Sequence, residues 1–73
     1  MQVKGRDGQI YEVSAAPPGG AHQVHRGGVL VGHIVLLDDE TRVEVKHPSA
    51  SERLLVDLAD RFVAQGGAPM GIA

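Results

Sequence analysis

Seventy-three residues, a formal net charge of −2, no cysteine and only two aromatic side chains, Tyr11 and Phe62, bound what this chain can be. No disulfide staple is available, and a domain this short buries only about 60% of its unfolded surface, so metal binding or self-association is the usual support for its core. Three basic side chains face two acidic ones over residues 1–36, and four face seven over residues 37–73, so neither half is a polybasic arm for nonspecific nucleic-acid binding.

Gln2-Val3-Lys4 reads as a short strand. Asp7-Gly8 is a strong hairpin signal, and Gln9 to Ala15 follows as a second strand with Tyr11 and Val13 on one face and Ile10 and Glu12 on the other. Pro17-Pro18-Gly19-Gly20 is a turn or exposed loop, because consecutive prolines donate nothing to a ladder. His22 to Arg26 is a weak strand, and Gly27-Gly28 reverses the chain into Val29–Leu37, its most apolar run. Asp38 to Thr41 is expected as a four-residue loop. The alternating Arg42 to His47 then pairs back, with Leu36 opposite Val43 and Ile34 opposite Val45. That register puts Gly32, Ile34, Leu36, Val43 and Val45 on a core face. Val31, His33, Val35 and Leu37 share the second face with Arg42, Glu44 and Lys46.

A helix is expected over about 50–65. Ser49 with Glu52 forms a capping box, Ser51 is a rival cap, and Gly66-Gly67 ends the helix before Pro69. Leu55, Leu58, Ala59 and Phe62 centre its apolar arc; Leu54 flanks one side, Val56 and Val63 the other. The fold class is therefore α+β: an antiparallel β-meander of three to five strands packed by one C-terminal helix. Residues 1–67 form one small domain and 68–73 a flexible tail. The longest apolar run is too short to span a bilayer, and the N-terminus lacks the apolar core of a signal peptide. The chain reads as soluble and cytoplasmic, bacterial or phage-like in style.

Little in the sequence points to chemistry. His22-x-x-His25 would face opposite ways on a strand, no third ligand is evident, and no metal or other cofactor is expected; a histidine metal-binding protein is the second alternative, after DNA binding. Gly27, Gly28 and Gly32 lack the Lys-Ser/Thr of a phosphate loop; Gly32 instead fits a bulge or a close backbone approach. Ser49 and Ser51 are explained as caps, and the Asp38-Asp39-Glu40 turn lacks the spacing of a calcium loop. No catalytic residue is assigned, and the chain is not expected to be an enzyme.

A sheet with a C-terminal helix is similar in plan to the arm-binding domains of phage-type integrases. That similarity implies DNA binding by the outer sheet face, here Arg42 and Lys46 with Lys4, Arg6 and Arg26. The leading expectation is a protein-interaction module that binds itself as a homodimer, or binds another protein. Its candidate interface residues are Val31, Val35 and Leu37 on the second face and Val56 and Val63 on the helix shoulder. The alternative to association is closure of that face by the N-terminal hairpin.

Overall fold

The computed structural model describes residues 1–67; the tail expected over 68–73 lies outside them. The chain forms a five-stranded antiparallel sheet in sequential order, β1 (Gln2–Lys4), β2 (Ile10–Val13), β3 (Ala21–Arg26), β4 (Val29–Leu36) and β5 (Thr41–Val45), followed by α1 (Glu52–Ala64). This is the α+β meander expected from the periodicities. A loop of Arg6, Asp7 and Gly8 joins β1 to β2, closed by Gly5 N–H donating to Gln9 O at 2.9 Å. Gly27 and Gly28, with φ of 58° and 83°, make a two-residue reversal between the paired Arg26 and Val29, the geometry whose twist matches a right-handed hairpin.

The N-terminal hairpin does not fold over the second face. It continues the sheet, so Val3, Tyr11 and Val13 join Val24, Val31, Ile34, Leu55, Leu58, Ala59 and Phe62 in one core. The helix packs on β1, β4 and β5. Its buried residues are Leu55, Leu58, Ala59 and Phe62, the centre of the arc read from the sequence.

Three expectations are corrected. The β4–β5 register is shifted by two residues: Ile34 pairs with Val43 and Gly32 with Val45. Leu37 N–H donates to Glu40 O at 2.9 Å, so only Asp38 and Asp39 connect the strands. A shift of two keeps every side chain on its expected face. Secondly, Val31 is not on the second face. Val24 pairs with Gly32 but His25 pairs with Leu30, so Val31 is an extra residue, a β-bulge. The bulge turns Val31 into the core beside Gly32, and Val31 is 1% exposed. Gly32 lets the helix approach the sheet closely: a Cβ there would lie 2.5 Å from Leu55 Cδ1 and 2.6 Å from Glu44 O.

Thirdly, the helix is capped by Ser51, whose Oγ accepts from Leu54 N–H at 3.1 Å. Ser49 is engaged elsewhere: its Oγ accepts from Arg26 Nη2 at 3.0 Å and lies 2.7 Å from His47 Nδ1. The helix ends in paired bonds, Gly66 N–H to Val63 O and Gly67 N–H to Phe62 O. This motif needs the left-handed conformation that Gly66 adopts at φ 90°.

Candidate functional site

The direction of each backbone group on β5 follows from the ladder. Leu37 N–H bonds Glu40 O, and Lys46 N–H bonds Val31 O at 3.0 Å. Hydrogen-bonded pairs alternate in an antiparallel ladder, so Arg42 and Glu44 also turn their backbone groups towards β4. Thr41, Val43 and Val45 therefore turn theirs away from it. β5 is the last strand of the sheet, and among the described residues no backbone partner meets these groups.

The helix adds an apolar shoulder beside this edge. Leu58 approaches Gly5 and Leu55 approaches Gly32 and the Glu44 carbonyl, while Arg61 Nη1 reaches Lys4 O at 3.4 Å. Passing around the helix from Arg61 through Leu58 to Leu55 thus runs from the β1 side to the β5 side. Continuing that rotation past buried Ala59 and past Glu52 brings Val63 and Val56. They are 51% and 38% exposed, and Val45 on the strand is 41% exposed. Glu52 and Asp60 share that flank of the helix by the same rotation.

The outer sheet face is mostly polar. The rows that cross it are Ala21–Val35–Arg42 and Gln23–His33–Glu44, with His25 opposite Glu12 further along. Val35 is half-buried within the first row, and Leu37 is exposed beside the β4–β5 turn. With Val31 in the core, the second face loses the centre of the apolar patch expected there. Of the candidate interface residues, the structure groups Val56 and Val63 near the β5 edge and leaves Val35 and Leu37 apart from them.

The five basic candidates for DNA binding are not assembled. Lys4 lies on β1 and Arg42 on β5, at opposite ends of the sheet. Arg6 is in the β1–β2 loop, and Arg26 is bonded to Ser49. Arg42 is paired with Glu40 at 2.9 Å, and Lys46 is paired with Glu44. Hydrogen bonding and charge from Lys46 hold the Glu44 carboxyl below its usual range, with a smaller contribution from His33.

The histidines are dispersed too. His22 is fully buried; its Nδ1–H donates to Ser14 O at 2.7 Å, and its ring meets Phe62 edge-on at 5.0 Å between centroids. Its Nε2 has no hydrogen-bond partner among the described residues. His25 is half-buried on the outer face opposite Glu12. Among the described residues no three His, Asp or Glu side chains are grouped to hold a metal ion, and no helix is long and apolar enough to cross a membrane.

Thr41, Val43 and the exposed side of Val45 are the site residues that periodicity alone missed. Their signal was present in the order of elements: the last strand of a meander is an edge unless something returns to cover it. Comparison with protein-family models, curated proteins and solved structures finds no match for the chain.

Proposed function

We propose that this chain is a non-enzymatic protein-interaction module that self-associates as a homodimer through the β5 edge and the adjoining helix shoulder. One observation carries the reading: a five-residue edge strand with the backbone groups of three residues unpaired among the described residues, flanked by exposed Val45, Val56 and Val63. Natural sheets blunt such edges or use them, because an open edge templates pairing with another strand. The size of the chain points the same way. It has no cysteine, among the described residues nothing forms a second layer over the outer sheet face, and association is a common support for so small a core.

Sedimentation of the 7.7 kDa chain over a concentration series tests the reading. The mass is expected to rise towards that of two chains. A chain that stays monomeric up to about 1 mM, where even a complex worth about −4 kcal/mol is half formed, contradicts it.

A further inference from the structure

We infer that the homodimer is a two-fold, antiparallel pairing of β5 with β5 of a second copy, centred on Val43, in which Arg42 of each chain faces Glu44 of the other. This rests on the self-association reading and adds its geometry. Only registers that bring outward-facing residues opposite one another can form a ladder. Those residues are Thr41, Val43 and Val45, as derived above from the bonds at Leu37 and Lys46. The choice of axis then decides which side chains become neighbours.

An axis at Arg42 sets Arg42 against Arg42 and Glu44 against Glu40. An axis at Glu44 sets Glu44 against Glu44 and Arg42 against Lys46. Both place like charges directly opposite, which destabilises a sheet. Moving the axis to Thr41 or Val45 runs the ladder into the Asp38-Asp39 turn or past the end of β5. The axis at Val43 avoids all of this. Val43 meets Val43, Thr41 meets Val45, and all three outward residues are used. On the outer face Arg42 meets Glu44 and Glu40 meets Lys46, so every directly opposed charged pair has opposite signs.

The alternation Glu40, Arg42, Glu44, Lys46 is thus complementary to itself when reversed about Val43. Among the described residues of the single chain these charges pair with their near neighbours in sequence, Arg42 with Glu40 and Lys46 with Glu44. All four side chains are solvent-accessible, so they are free to exchange partners. The ladder would hold about six backbone hydrogen bonds, two for each opposed outward pair, and would join the sheets of the two copies into one. On the helix side, the facing Val43 and Val45 side chains would lie between the two shoulders formed by Val56 and Val63.

The test uses Arg42→Glu and Glu44→Arg in the full chain, with circular dichroism confirming that each variant folds. Each variant alone places like charges opposite at both symmetry-related positions, and is expected to self-associate roughly tenfold or more weakly than the parent. Mixing the two variants restores opposite signs at both positions, so a heterodimer close to parent affinity should form. Thr41→Pro removes an outward N–H without touching a β4 bond, and should also weaken the dimer. A parent that dimerises while the single variants match it, or while the mixture fails to recover, overturns this register and leaves self-association standing. A monomeric parent overturns both.

Discussion

The sheet has two edges, and the fold treats them differently. At the first, β1 has three residues, and its hydrogen-bonded partners on β2 leave Gln2 and Lys4 facing outward. The helix packs on both edge strands, but at β1 it also reaches an outward backbone group: Arg61 meets the Lys4 carbonyl, and Leu58 packs beside Gly5 and Tyr11. At the other edge, β5 has five residues and its outward groups meet nothing among the described residues. Short length and a lysine are common ways to blunt an edge. The difference lies in the backbone rather than in the helix packing: a side chain meets an outward carbonyl of β1, whereas among the described residues nothing meets the outward groups of β5.

Substitutions can break this contrast. The largest effect is expected at Leu58, fully buried against the β1 side. Leu58→Ala should cost about 2–5 kcal/mol, whereas Asp57→Ala, which removes only an exposed pair with Arg61, should cost about 0.5 kcal/mol or less. Equal melting temperatures for the two would contradict the helix register. Gly32→Ala attacks the β5 side. The added methyl meets both Leu55 and the Glu44 carbonyl, so it should cost about 1–3 kcal/mol in thermal or urea unfolding. Because it displaces β5 from the helix, it should weaken self-association as well.

Arg61→Ala uncovers the β1 edge. It should cost less than about 1 kcal/mol and leave the solution mass unchanged, since two outward residues make a poor template. A new, larger oligomer would mean that Arg61 is what keeps β1 from pairing.

The smallest effect concerns Asp7, in the β1–β2 loop. Tyr11 Oη donates to Asp7 Oδ2 at 2.7 Å, and that bond holds the Asp7 carboxyl below its usual range. The lowered folded-state value means that the stabilisation is present at neutral pH and is lost as pH falls through it. The melting temperatures of the parent and Asp7→Asn should therefore converge on acidification. A gap that is constant from neutral pH into the acid range would contradict this.

Much of the molecule could be read in advance where a local pattern decided the outcome. The buried helical residues Leu55, Leu58, Ala59 and Phe62 follow from a period of 3.6, and Tyr11 and Val13 from a period of 2. What escaped depended on partners distant in sequence. The bulge at Val31 exists because β3 must pair past it and Gly32 must admit Leu55. Ser49 does not cap the helix; its hydroxyl meets Arg26, on β3, as well as the nearby His47. The two-residue turn arose without any residue other than glycine at positive φ, so the absence of Asn-Gly or Asp-Gly did not lengthen the loop. The candidate site moved for the first of these reasons: once Val31 turns inward, the second face is too polar to lead, and the open edge at Val43 takes its place.

Amide hydrogen exchange, resolved by residue and followed as a function of protein concentration, tests the central claim most directly. In dilute solution the Thr41, Val43 and Val45 amides should exchange fast, like those of Gln2 and Lys4. As the chain dimerises, protection should appear at Thr41, Val43 and Val45 while Gln2 and Lys4 stay unprotected. Dimerisation with no gain of protection at Thr41, Val43 and Val45 would show that the β5 edge is not where two copies meet.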